Sequence, residues 1–252
     1  MSVPFWTDDE RQTAEEYWLS SKDPEDLLRG SLDGIEEERG VRFKRKLRLF
    51  AVECLRRISH LFRDSRSRGW IEILEQNADG TISDKRQDCL GTEVVDPPND
   101  DHFQGDDPIV SQVACAWQAL CLASDPDFRP FDANCVACWA RDALYPIAGP
   151  LDLTDEKRVQ HNKHQEEIQV ALLRDIFGNP FRPVTLDPSW LIPKVKTLAQ
   201  AIYDERAFER MPELADALAE AGCSNQDILS HCRGPGPHVR GCWVVDLLLG
   251  KE

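Results

Sequence analysis

The sequence lacks the motifs that define the common cofactor-dependent and hydrolytic enzymes. It contains no Walker A loop, no dinucleotide-binding glycine fingerprint, no HExxH zinc motif and no nucleophile elbow. The Gly-Pro-Gly-Pro run at 234–237 is not a phosphate-binding loop, because its two prolines lack the N–H donors that such a loop needs. These absences exclude the enzyme classes that the motifs define, and we expect a non-enzymatic protein.

Long apolar runs and basic charge are also scarce. No apolar run approaches the ~20 residues of a membrane span, and the acidic N-terminus lacks the basic and apolar regions of a signal peptide. We therefore predict a cytoplasmic protein with no membrane partner. The net charge of −15 argues against extensive nucleic-acid binding. The nine cysteines are an odd number in mostly apolar contexts, which indicates buried thiols and not disulfides.

Helical periodicity is abundant. The strongest pattern runs from Val41 to Phe62, where apolar residues recur at spacings of three and four and predict one wide apolar face. Without alternating segments to build a sheet, the prediction is an all-α fold, a multi-helix orthogonal or bundle arrangement. The segment 242–249 also fits a strand, but Pro237 and the leucines favour a helix. Further helices are predicted over 65–78, 108–123, 133–145, 154–177, 188–209, 211–221, 224–232 and 237–249.

A polar stretch at 85–106 interrupts this periodicity. It contains Pro97-Pro98 and several Asn, Asp and Gly residues, which are typical of linkers. We predict an N-terminal helical subdomain over 1–84, a linker over 85–106 and a C-terminal helical subdomain over 107–252.

Three segments carry a resemblance to a known group of proteins: 46–62, 172–191 and 228–252. Together with the opening Trp18-Leu19 and Asp23-Pro24, they resemble an uncharacterised paralogous family of planctomycete-type bacterial proteins. The resemblance implies a bacterial origin. No activity is established for that family, so the resemblance implies no mechanism.

Cys135 and Cys138 have the spacing of zinc ligands, and His161 and His164 follow downstream. Two thiolates and two imidazoles suit tetrahedral zinc. The histidine spacing is tighter than usual, and residues at i and i+3 on a helix are often simple neighbours. A zinc site and a pair of buried cysteines with solvent-facing histidines are therefore both open, and the second is favoured.

The C-terminal segment contains Cys232, His238, Cys242 and Asp246 within an apolar run. If Pro237 begins a helix, the last three of these share one stripe. The group then forms a Cys–His–Asp nucleophile system, part of a metal site, or a packed terminus. The packed terminus is favoured, with Asp246 paired to an arginine, Arg233 or Arg240, because an unpaired buried carboxylate is costly.

Basic residues on the predicted helix at 42–68 offer a phosphate-binding stripe: Arg45, Arg48, Arg56 and Arg63. The stripe lacks interleaved aromatic residues, and nearby acidic blocks favour an internally paired face.

The favoured function is a non-enzymatic helical interaction or regulatory module with another protein as its partner. Aromatic residues near the N-terminus, Phe5, Trp6 and Trp18, are expected to be exposed and to serve that partner. The alternatives are a nucleic-acid-binding accessory protein using the basic helix and a metal- or thiol-dependent enzyme centred on the C-terminal group.

Overall fold

Helices form all the regular structure that can be described. The computed structural model describes residues 7–32, 35–62, 65–82, 108–125, 128–144 and 155–251. Within these ranges no strand occurs, which confirms the all-α prediction. None of the helices in these ranges has both the length and the apolar content needed to cross a membrane. The predicted linker at 85–106 lies outside the described residues, so it stays a prediction.

The helices differ widely in length. In chain order they are α1 (Asp8–Ser20), α2 (Glu36–Arg57), α3 (Ser65–Ala78), α4 (Pro108–Ala123), α5 (Pro130–Ala143), α6 (Asp155–Phe177), α7 (Pro193–Glu205), α8 (Met211–Glu220), α9 (Gln226–Arg233) and α10 (Trp243–Leu249). A π-helical segment covers Asp26–Ser31, and short 3-10 helices cover Ser59–Leu61, Pro188–Trp190 and Phe208–Arg210.

The chain divides into two compact units. The central unit is Ser20–Val170, and the terminal unit combines Met1–Leu19 with Ala171–Glu252. These limits differ from the predicted subdomains, 1–84 and 107–252, since α1 groups with the residues that follow Val170.

The central unit is organised around α2. Its apolar face is buried as its periodicity predicts, and α2 packs against α3, α4 and α5, while α4 also packs against α5. The buried residues of this face include Phe43, Leu47, Phe50, Ala51, Cys54, Leu55 and Ile58.

The terminal unit has its own hydrophobic core. In it α7 packs against α8 and α10, and α9 packs against both α8 and α10. The core is built from apolar residues of all four helices and from three thiols that lie in or beside them, and it includes Val195, Ile202, Leu214, Leu218, Cys223, Ile228, Cys232, Cys242, Val244 and Val245.

The last helix begins later than its sequence pattern predicts. The prediction of a helix over 237–249 is wrong for its first six residues, because α10 begins at Trp243. Gly236 and Gly241 have φ angles of 78° and 96°, in the left-handed region that interrupts a helix. His238 therefore lies in a loop, and Cys242 is the N-cap residue of α10. The predicted stripe of His238, Cys242 and Asp246 on one helix does not form.

Candidate metal centre

Four side chains with metal-binding groups converge in the terminal unit. They are Asp175 from the last turn of α6, His231 from the last turn of α9, His238 from the following loop and Cys242 at the start of α10. One potential ligand atom from each lies within 4.8 Å of all the others. Among the described residues, no other group of three or more such side chains is this compact. The group is called the DHHC cluster below, after its Asp, His, His and Cys.

The distances within the DHHC cluster suit a small ion at its centre. Asp175 Oδ1 lies 2.8 Å from His238 Nδ1 and 3.1 Å from His231 Nε2. The same His231 nitrogen lies 3.1 Å from Cys242 Sγ. Zinc bonds of about 2.0–2.3 Å in a tetrahedron place ligand atoms about 3.3–3.6 Å apart. Small shifts of these side chains would bring the ligand atoms to that spacing, since all of them already lie within 4.8 Å of one another.

Asp175 is the acidic centre of the cluster, and its side chain is only 2% exposed. Its second oxygen, Oδ2, accepts a hydrogen bond of 2.9 Å from the Val239 N–H, which leaves Oδ1 to face the imidazoles. Burial raises the pKa of Asp175, but hydrogen bonds and charge from His231 and His238 outweigh it and hold the pKa below its usual range. The carboxylate is therefore charged and available as a metal ligand.

His238 faces Asp175 through Nδ1, which lies 2.8 Å from Oδ1. Its other ring nitrogen, Nε2, is buried and has no hydrogen-bond partner within the described part of the chain. An imidazole gives one ion a single nitrogen, so with Nδ1 as the ligand atom Nε2 takes no part in metal binding. Burial, together with the nearby Asp175 charge, raises the pKa of the Cys242 thiol well above its ordinary value. Without a metal the thiol is protonated, and binding an ion displaces that proton and creates a thiolate.

The same geometry argues against a catalytic Cys–His–Asp triad. In such a triad, the imidazole uses one nitrogen for the nucleophile and the other for the carboxylate. Here Cys242 Sγ and Asp175 Oδ1 both approach Nε2 of His231. A reactive cysteine also requires an exposed thiol of lowered pKa, whereas Cys242 is fully buried and its pKa is raised. The groups surround a common point and do not form a relay.

Gly178 allows the two sides of the cluster to approach each other. It ends α6 with a φ of 64°, and a Cβ atom on it would lie 2.9 Å from Cγ of Trp243. The Trp243 indole in turn lies against the His231 ring, with 5.3 Å between centroids. A side chain at position 178 would therefore displace Trp243 and, through it, His231.

The zinc site predicted at Cys135, Cys138, His161 and His164 does not form. None of the four belongs to a compact group of three or more potential ligands in the described ranges. Both cysteines lie on α5, where residues at i and i+3 are neighbours without any metal. Burial raises the pKa of both thiols, and His164 is exposed.

Cys232 and Asp246 lie near the cluster without joining its compact group. Cys232 is fully buried, and burial, with Asp175's charge as a smaller cause, raises the pKa of its thiol to about 12. Asp246 is fully buried on α10. Of its two predicted partners, Arg233 forms an ion pair of 3.0 Å with Asp216. Arg240 donates to the carbonyl oxygen of Tyr203 at 3.0 Å, and its pairing with Asp246 stays a prediction.

Replacing Asp246 with alanine should destabilise the protein by about 2–4 kcal/mol, because a fully buried carboxylate is tolerated only with polar partners, and its removal would leave those partners unsatisfied. Denaturant unfolding measures this cost. Asp246→Asn keeps the shape and removes the charge, and we expect it to cost about as much. An Asp246→Ala variant with an unchanged denaturant midpoint would show that the carboxylate has no structural role.

The arginines of the predicted phosphate-binding stripe pair internally where they are described. Arg45 forms an ion pair of 3.0 Å with Asp79, and Arg48 donates to the carbonyl oxygen of Asp125 at 3.4 Å. Arg56 contacts three carboxylates, those of Glu53, Glu72 and Glu75. Arg63 lies outside the described residues.

The structure describes one of the three aromatic residues that were expected to be exposed near the N-terminus. Trp18 was expected to be exposed, and this prediction is wrong, because Trp18 is fully buried. Its ring packs edge-on against Phe177, with 6.3 Å between centroids. Phe5 and Trp6 lie outside the described residues.

Two members of the DHHC cluster were missed as candidate ligands, Asp175 and His231. Asp175 and His238 are 63 residues apart, so no local spacing connects them. One signal was available: Asp175 is an acid next to the apolar end of α6, the same kind of feature that singles out Asp246.

Comparisons with protein-family models, curated proteins and solved structures found no match for this chain. The resemblance to the planctomycete-type family therefore stays a prediction.

Proposed function

We propose that this chain is a non-enzymatic, zinc-binding helical module of the cytoplasm. In this proposal, Asp175, His231, His238 and Cys242 hold one zinc ion that ties α6, α9 and α10 together. The observation that carries the proposal is the convergence of one ligand atom from each of these side chains within 4.8 Å in a largely buried place.

The composition of the cluster favours zinc over other common ions. Calcium and magnesium prefer all-oxygen sites, whereas imidazole, thiolate and carboxylate groups are each ligands of zinc. Four protein ligands complete a tetrahedron, which is the arrangement of structural zinc sites. Catalytic zinc keeps one position for water, and a ligand set that fills all four positions supports a structural role.

The contacts of the described residues disfavour the two alternative functions. Arg45 and Arg56 are paired with carboxylates, so phosphate would have to displace those partners. The buried, protonated thiol of Cys242 is poorly suited to nucleophilic catalysis. We therefore keep another protein as the proposed partner, with zinc stabilising the module that meets it.

The zinc content of purified protein tests this proposal. Wild-type protein should carry about one equivalent of zinc, and Cys242→Ser should carry almost none, because serine is a much poorer zinc ligand. Cys232→Ser is the matched control, since Cys232 is an equally buried thiol of the same core that lies outside the compact group. The control should retain zinc. Equal zinc content in the wild type and Cys242→Ser, or none in either, would contradict the proposal.

A further inference from the structure

Hydrogen bonds connect α1 to the end of α6. The indole N–H of Trp18 donates to the carbonyl oxygen of Gly178 at 3.0 Å. In the opposite direction, Arg174 donates to the carbonyl oxygens of Trp18 and Leu19 at 2.8 and 3.1 Å. The bond from Trp18 to Gly178 joins residues that are 160 positions apart in the chain, so it is a tertiary contact.

A second set of contacts strengthens the same junction. The buried carboxylate of Glu15 accepts a hydrogen bond of 2.7 Å from the Asn179 side chain and forms an ion pair of 2.7 Å with Arg182. The other side-chain atom of Asn179, Oδ1, accepts from the backbone N–H of Phe181 at 3.0 Å. The residues that follow α6 are thus held on one side by α1.

The residues that α1 holds are the immediate neighbours of a proposed zinc ligand. Asp175 lies directly after Arg174 and three residues before Gly178. Gly178 also lies close to Trp243, which follows the ligand Cys242 and lies against the ligand His231. Contacts therefore connect Trp18 to His231 through Gly178 and Trp243, and short stretches of chain connect Gly178 to Asp175 and Trp243 to Cys242.

We infer that α1 regulates the DHHC cluster: docking of α1 against the end of α6 raises the affinity of the cluster for zinc. This inference rests on the proposed function. Metal affinity depends on how firmly the outer contacts hold each ligand in place. The bond from Trp18 to Gly178 fixes the left-handed end of α6, and its loss gives Asp175 and Trp243 more freedom. By linkage, zinc binding must stabilise the docking of α1 to the same extent.

Trp18→Phe in the full-length protein tests this inference. Phenylalanine keeps the apolar packing against Phe177 and removes the indole N–H, so the variant should fold. Competition with a chromogenic zinc chelator should show zinc bound about fivefold more weakly than by the wild type, at the lower end of typical coupling between sites. Trp70→Phe is the matched control, because Trp70 is a buried tryptophan of the central unit. The control should leave zinc affinity unchanged.

Amide hydrogen exchange of α1 in the wild type and in Trp18→Phe supplies a second readout. Because zinc stabilises the whole terminal unit, some slowing is expected throughout it; the inference predicts in addition that zinc slows the exchange of residues 8–19 more in the wild type than in Trp18→Phe, whereas a merely structural role for Trp18 predicts equal slowing in the two proteins. Unchanged zinc affinity in Trp18→Phe, with zinc bound by the wild type, would overturn this inference and leave the proposed function intact. A wild type that binds no zinc would overturn both.

Discussion

Removal of zinc should destabilise the terminal unit by about 4 kcal/mol, when the comparison is with protein in free zinc at about 1,000 times the dissociation constant. The stabilisation arises because the folded cluster gathers four ligands from α6, the end of α9 and the loop before α10, and the unfolded chain does not. Denaturant unfolding, followed with zinc present and after chelation, measures the difference.

Lowering the pH should weaken the stabilisation of the terminal unit by zinc. Burial raises the pKa of the Cys242 thiol, so zinc must displace a proton to bind the sulfur. Zinc affinity should therefore fall as the pH falls. Cys242→Ser is the control, and its unfolding midpoint should not respond to zinc or to the chelator. A zinc response of equal size in that variant would place the ion elsewhere in the chain.

Replacing Asp175 with alanine should destabilise the metal-free protein by about 2–4 kcal/mol, because a buried carboxylate that accepts hydrogen bonds is lost. Asp175 accepts from the Val239 N–H and lies within hydrogen-bond distance of both imidazoles of the cluster, so its loss removes a shared acceptor from all three groups. Chemical denaturation of chelated protein provides the measurement. Asp216→Ala is the control: Asp216 also has a cationic partner, but its side chain is 71% exposed, and its loss should change the stability little.

The free energy of folding that Asp175 contributes should also depend on pH, and this stabilisation should be lost in acid. Hydrogen bonds from the two histidines hold the pKa of Asp175 below its usual range despite burial. A carboxyl whose pKa is lower in the folded state stabilises the fold above its unfolded pKa of about 3.9. That contribution is lost as the pH falls through the lower, folded pKa. Metal-free wild type should therefore lose more stability than Asp175→Ala on acidification below about pH 4. Parallel losses in the two proteins would contradict this role.

Local patterns in the sequence were enough to predict most of the helices. Apolar spacing alone placed α2, because a helix that buries one wide face must repeat apolar residues every three or four positions. The pattern failed at 237–242, where Pro237 and the leucines indicated a helix. There, two left-handed glycines and a hydrogen bond from Val239 to the distant Asp175 hold a loop instead.

The sequence alone pointed to two of the four residues of the candidate site. His238 and Cys242 stood out because they are close together in an apolar terminus, whereas Asp175 reaches them only through tertiary packing of α6. The opposite error occurred at Cys135 and Cys138, whose spacing matches zinc ligands but also matches ordinary neighbours on α5. Spacing describes local geometry, and a buried metal site depends on which helices meet.

The ultraviolet and visible absorption spectrum of the protein loaded with cobalt(II) in place of zinc tests the central claim most directly. Cobalt(II) reports its own coordination, with intense visible bands in a tetrahedral site and a sulfur-to-cobalt charge-transfer band when a thiolate is bound. We predict both features, with saturation at about one equivalent, because the DHHC cluster offers a single four-ligand site. The charge-transfer band should disappear in Cys242→Ser and persist in Cys232→Ser. Weak octahedral-type bands in the wild type, or a charge-transfer band that survives Cys242→Ser, would contradict a metal centre at Asp175, His231, His238 and Cys242.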